Sequence, residues 1–103
     1  MGTISKMNLI SAEHYGYDAQ SNMLMEECAE LIQAMNKHKR ALASGKGIEK
    51  AVEKLTEEIA DVELMLEQIK HLVGIEPIPI IDVKYHKVGR TMKRIKSEGK
   101  KDD

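Results

Sequence analysis

The chain has no tryptophan, no phenylalanine, three tyrosines, two prolines and one cysteine among its 103 residues. A single cysteine excludes an intrachain disulfide, and the place of Cys28 in an apolar helical arc suits a reduced buried thiol with no activating partner nearby. The prolines stand close together at Pro77 and Pro79, so none interrupts the long periodic stretches before them. No apolar run is long enough for a membrane span, and none follows a basic N-terminal region as in a signal peptide; no membrane partner and a cytoplasmic location are expected. Gly45-Lys46-Gly47 lacks the longer glycine-rich run, the following serine or threonine and the preceding strand of a phosphate-binding loop. His14, His38, His71 and His86 are too dispersed for a compact metal-ligand spacing.

What remains is a globular composition, 42% apolar and 32% charged with a formal net charge of -1, which fits a single domain over residues 1–103. The near-neutral balance is uneven. Most acids lie in the central part of the chain, and Lys84 to Lys101 is markedly basic. With an acidic remainder and no recognition motif, that basic stretch gives no reason to expect nucleic-acid binding.

Periodicity is helical throughout. A lead-in over residues 1 to 10, irregular or briefly helical, precedes Ser11 to Tyr17, which either starts a helix or forms a turn before it. Strong periodicity runs from Gln20 to Ala43, breaks at Ser44-Gly45-Lys46-Gly47, and resumes from Ile48 to Val73, with Gly74 placed as a stop. After the two prolines a shorter basic helix is expected from Ile80 to Ile95, followed by a fraying tail from Glu98 to Asp103. The expected fold is all-α, an antiparallel helical bundle built on two long central helices, with the short C-terminal helix covering the open side. At 100° per residue, Leu24, Cys28, Leu31, Ile32 and Met35 share one apolar arc, and Val52, Leu55, Ile59, Val62, Leu66 and Ile69 another. Apolar residues beyond those arcs, among them Met25, Leu64 and Leu72, point to a homodimer or homotetramer.

Two acidic steps sit at matching phases on those helices. Glu27-Cys28-Ala29-Glu30 and Glu58-Ile59-Ala60-Asp61 each set two carboxylates on one helical face, and counting from Ser44 the two steps are roughly level. They either diverge into solvent, as acidic pairs on ordinary helices do, or converge on a hard cation that removes their repulsion. Glu26 and Glu57 precede the inner residues and are placed for outer or second-metal contacts.

The run Glu26-Glu27-Cys28-Ala29-Glu30, followed after a gap by Glu58-Ile59-Ala60-Asp61, resembles the signature of the all-α nucleoside triphosphate pyrophosphohydrolases, in particular MazG-like proteins. The likeness extends over residues 15 to 95, including Gln20 to Glu27 and the basic C-terminal stretch. It implies Mg2+, with Mn2+ as a substitute, held by Glu27, Glu30, Glu58 and Asp61, with Glu26 contributing a further metal or water contact. It further implies hydrolysis of a nucleoside triphosphate, expected to be a deoxynucleotide, to the monophosphate and pyrophosphate by a dimer or tetramer. The related phosphoribosyl-ATP pyrophosphatases and dimeric dUTPases share the helical plan. In that frame Glu26, Glu27 and Glu30 are the candidate catalytic carboxylates, with Glu26 or Glu30 orienting or deprotonating the attacking water. Lys84, Lys87 and Arg90, which with Arg94 line one helical face, are the candidate phosphate ligands. Gln20 and Asn22 either lie near the base or sugar or cap and bridge helices, one of Tyr15, Tyr17 and Tyr85 either stacks on a base or packs at a helix entry or subunit edge, and His86 is either a nucleotide contact or an ordinary surface histidine. A helical oligomerisation or regulatory module without turnover is the alternative.

Overall fold

The structure, a computed structural model describing residues 2–101, is all-helical, with α1 at Thr3–Ser44, α2 at Ile48–Val73 and α3 at Pro77–Lys101. There is no strand among the described residues. No helix among them is long and apolar enough to cross a membrane.

α1 starts well before the strong periodicity and is broken once, at Gly16, whose φ of 83° and ψ of 175° are non-helical. That combination is closed to residues with a Cβ, so one glycine lets the chain change direction inside an otherwise continuous helical stretch. The limbs on either side meet α2 in different senses. In the limb over residues 3–15, Ser5, Asn8 and Glu13 pair with Glu67, Gln68 and His71, so partner numbers rise together. In the limb over residues 17–44, Gln20 pairs with Gln68 while Glu27 approaches Glu58 and Asp61, so they run oppositely.

Both limbs are tied to α2 by a polar clasp that helical periodicity alone does not reveal. The Asn8 amide donates to the Leu64 carbonyl and to Glu67 Oε1, both at 2.9 Å, and Ser5 Oγ donates to Glu67 Oε2 at 2.7 Å. Gln68 joins the two limbs, donating to Asn8 Oδ1 at 2.6 Å and accepting from the Gln20 amide at 2.7 Å. Asn8, Gln20 and Gln68 are all buried, and this cross-bonding satisfies side-chain groups that would otherwise be costly to desolvate.

The apolar core is small: Ala12, Ala34, Ala41, Val62 and Met65 are buried, and no large side chain is fully enclosed. The faces turned inward overlap the expected arcs at Leu24, Cys28, Leu31, Leu55, Val62 and Ile69, but are rotated so that Glu27 and Glu58 join them and Ile32, Met35, Val52, Ile59 and Leu66 do not. Leu24, Glu27, Leu31, Ala34 and Ala41 face inward on α1, and Leu55, Glu58, Val62 and Met65 on α2, whereas Ile32 is 64% and Ile59 43% exposed. Each helix carries more apolar surface than one neighbour can cover, and the alanines let the pair close on the strip that includes the acids.

α3 departs from expectation in length and position. It begins at Pro77, where a missing N–H costs nothing, and has 25 residues against 26 in α2. The expected fraying tail is helical as far as Lys101, and its last two residues lie outside the described range. No α-carbon of α3 comes within 8 Å of α1 or α2, so α3 does not cover the open side. The link that follows α2 leads it away from the pair: Gly74, at φ 85°, stops α2 as expected by donating to the Lys70 carbonyl at 3.0 Å. The Cα radius of gyration is accordingly 18.1 Å, against about 13 Å for a compact domain of 100 residues.

Two glycine substitutions test the reading of Gly16. Gly16→Ala is expected to lower stability in urea by about 1–3 kcal/mol through backbone strain alone, since nothing lies within 4 Å of the added Cβ. Gly89→Ala, inside α3 and equally free of neighbours, is expected to raise helicity by circular dichroism. Equal effects at the two positions would remove any special role for Gly16.

Candidate metal centre

Helical phase and the close approach of α1 and α2 put acids where a core would ordinarily be apolar. Glu27 comes from α1, and Glu58 and Asp61 from successive turns of α2. One carboxylate oxygen from each lies within 4.8 Å of the others. Glu58 is buried, with 3% of its surface exposed, and Glu27 and Asp61 are half-buried.

The two oxygens of Glu58 have different surroundings. Oε1 accepts from Lys54 Nζ at 3.0 Å, one turn earlier on α2. Oε2 is buried without a hydrogen-bond partner. A buried carboxylate oxygen with no donor is uncommon, because its desolvation is uncompensated. Partial burial, the Asp61 and Glu58 charges and contacts with both carboxyl groups raise the Glu27 pKa above the ordinary glutamate value. Lys54 is held more firmly protonated by its bond to Glu58 and by the charges of Glu57, Glu58 and Glu30.

This donor set fits a hard divalent cation. All three groups offer carboxylate oxygens, and oxygens on opposite sides of one such ion sit about 4–5 Å apart. The cluster also explains itself poorly without one, since like charges at 4 Å repel by roughly 1–4 kcal/mol between bulk water and a protein surface. Of the alternatives left open by the sequence, three carboxylates converge and the fourth does not join them. Glu30 is exposed and lies close enough to Lys54 to act on its charge. Glu26 is exposed too, outside the cluster on the turn that carries Glu27.

The basic candidates lie elsewhere. Lys84, Lys87 and Arg90 are exposed on α3, where Lys87 and Arg90 share a shallow depression with Thr91 and Arg94. The start of α3 borders the pair, Lys84 sharing a depression with Leu9, Glu67 and His71, but no α-carbon of α3 comes within 8 Å of α1 or α2 and none of these bases is within salt-bridge distance of the carboxylate cluster. Gln20 is committed to the clasp and Asn22 is exposed. Tyr15 and Tyr17 are exposed, Tyr15 standing edge-on to His14 at 4.7 Å and His86 beside Tyr85 on α3. Lys54 went unnoticed in the sequence, although a lysine four residues before Glu58 is a legible helical ion pair.

Comparison with protein-family models, curated proteins and solved structures gives no match for this chain.

Two carboxylates give the cation-free protein opposed pH responses. The raised Glu27 pKa means that its favourable contribution is present at low pH and is lost as pH rises through the folded value. Glu67 is lowered, chiefly by the Asn8 amide and then by Ser5, so its contribution is present above the unfolded value and is lost as pH falls through the folded one. Melting curves from pH 3 to 7 without divalent ions should show Asp61→Asn raising Tm mainly at the upper end and Glu67→Gln removing part of the decline at the lower end. An Asp61→Asn protein less stable than wild type at pH 7 would mean that the cluster is not repulsive.

Proposed function

We propose that this chain is a divalent-cation-dependent nucleoside triphosphate pyrophosphohydrolase of the MazG-like type, an antiparallel helical bundle acting as a homo-oligomer on a triphosphate, expected to be a deoxynucleotide. The observation that carries the reading is the convergence of Glu27, Glu58 and Asp61 from two helices, with Oε2 of buried Glu58 left unpartnered. Glu27, Glu58 and Asp61 would hold Mg2+ or Mn2+, with Glu30 as a further ligand on side-chain rotation. Bound there, the cation would draw charge from the phosphoryl oxygens and lower the pKa of a water.

The remaining roles fall to the chain's own groups. In the cleavage, a water oxygen bonds to the α-phosphorus and the bond from that phosphorus to the α–β bridging oxygen breaks, leaving monophosphate and pyrophosphate. The proton released by the water goes to a carboxylate outside the cluster, for which Glu26 and Glu30 are the available groups. Lys84, Lys87 and Arg90 serve the phosphates, and since α3 stands clear of its own carboxylates, they would do so from a neighbouring copy. Oligomerisation has its own support. Met25, Ile32, Leu42, Val52, Ile59 and Leu66 are left exposed on α1 and α2, and covering each large apolar side chain is worth about 1.5–3 kcal/mol.

The test is a panel of canonical and modified nucleoside triphosphates incubated with and without Mg2+, with products resolved by ion exchange. Monophosphate and pyrophosphate in equal amounts are expected, lost on chelation and reduced at least about 100-fold in Glu27→Gln, Glu58→Gln and Asp61→Asn. Turnover that survives all three substitutions would remove the carboxylate cluster from the reaction. No turnover on any substrate would favour a helical oligomerisation module.

A further inference from the structure

We propose that Lys54 is an internal counter-cation of the carboxylate cluster, which a divalent ion releases from Glu58 to become a phosphate-binding group for the substrate. The inference rests on the functional reading above and adds a residue to it.

Lys54 Nζ lies 3.0 Å from Glu58 Oε1 and 3.9 Å from Glu57 Oε2, and Glu30 acts on the same ammonium from α1. It therefore sits among carboxylates of both helices, bonded to one oxygen of Glu58 while the other, Oε2, is buried without a partner. The other bases of the α1–α2 pair do not share this position: among the described residues Lys54 alone is within salt-bridge distance of a cluster carboxylate. Its side chain is 44% exposed while that of Glu58 is 4% exposed, so the lysine can swing into solvent where the glutamate cannot.

Charge decides when it swings. Without a divalent ion, the ammonium is the one positive group offsetting three converging carboxylates, and the bond to Glu58 Oε1 is its best position. A divalent charge on Oε2, one carboxylate away, offsets the same negative charge and repels the ammonium, so the Lys54–Glu58 attraction falls as the site fills. A triphosphate at the filled site offers the freed ammonium a better partner. A compact point charge on a flexible four-carbon stem suits that exchange, which needs rotamer changes only. Lys54 then sits near the substrate without being a ligand of the ion.

A lysine that merely props Glu58 in place and one that competes with the cation make opposite predictions. Removing a prop loosens the cluster and weakens cation binding; removing a competitor strengthens it. Titration calorimetry of Mn2+ into the purified full chain is expected to show Lys54→Met binding about three-fold more tightly than wild type, the scale of one partly exposed ion pair. With saturating Mn2+, the same variant is expected to bind a non-hydrolysable α,β-imido deoxynucleoside triphosphate at least about tenfold more weakly, as loss of a hydrogen bond to a charged group implies. Lys54→Arg, which keeps the charge, is expected to retain wild-type Mn2+ affinity and most of the nucleotide affinity. A larger rise in Tm on adding Mn2+ to Lys54→Met than to wild type would give the same answer without any ligand assay. Weaker Mn2+ binding by Lys54→Met, or unchanged nucleotide affinity, would overturn the proposal while leaving the carboxylate site intact. Mn2+ binding that is absent in wild type would overturn both.

Discussion

The burial of Glu58 is the constraint on which the rest of the structure depends. A carboxylate enclosed between two helices is costly unless something compensates it, and only one of its two oxygens has a donor. The helices could avoid the expense by rotating to bury Ile59 and Ile32 instead, since both are available one residue further round. They do not. The alanines at positions 34 and 41 allow the backbones to approach along the strip that contains Glu27 and Glu58, and that approach makes the cluster. The geometry is favourable to packing and unfavourable to electrostatics, and the Lys54 bond to Glu58 offsets part of that cost.

Holding that arrangement requires something other than a large core. With five small or medium apolar residues buried, the α1–α2 pair gains little from hydrophobic burial by the standard of a chain this long. The polar clasp supplies the missing specificity. Gln68 bonds to Asn8 on one limb of α1 and to Gln20 on the other, so the reversal at Gly16 and the level of α2 are fixed together. A slip of α2 by one turn would strand several buried amides at once, whereas it would cost an apolar interface much less. The level of Glu58 opposite Glu27 is thus set some way up the helix, by groups with no part in the chemistry.

The helical plan was legible in the sequence because periodicity and glycine stops are local signals; α2 and its end at Gly74 follow from them directly. The acidic steps were legible as candidates for the same reason. Their convergence was not, because phase alone leaves Ile32 and Glu27 about equally suited to face a neighbour, and the choice depends on how closely the alanines let two backbones approach. Gly16 was hidden for a different reason. The stretch from Ser11 to Tyr17 reads equally as a helix start or a turn, and only the limb that follows Gly16 back along α2 shows that it is a reversal between two helical limbs. The reading of α3 failed on tertiary grounds: its amphipathic pattern states that one face will be covered and says nothing of by what.

The exposed faces and the centre are connected through charge. α3 carries its bases on a helix that leaves the pair, while the pair turns Glu27, Glu58 and Asp61 inward and its spare apolar residues outward. Among the described residues Lys54 alone bonds to a carboxylate of the cluster, which is enough to offset one of three converging charges. An assembly that covered the apolar faces would also change the dielectric around the cluster, strengthening both its repulsion and its attraction for a divalent ion. Association and cation binding should then favour one another, since each removes a defect that the other makes more severe. The small core, the exposed apolar faces and the unpartnered oxygen of Glu58 share one cause: α1 and α2 close on the strip that carries Glu27 and Glu58 and leave larger apolar residues outside.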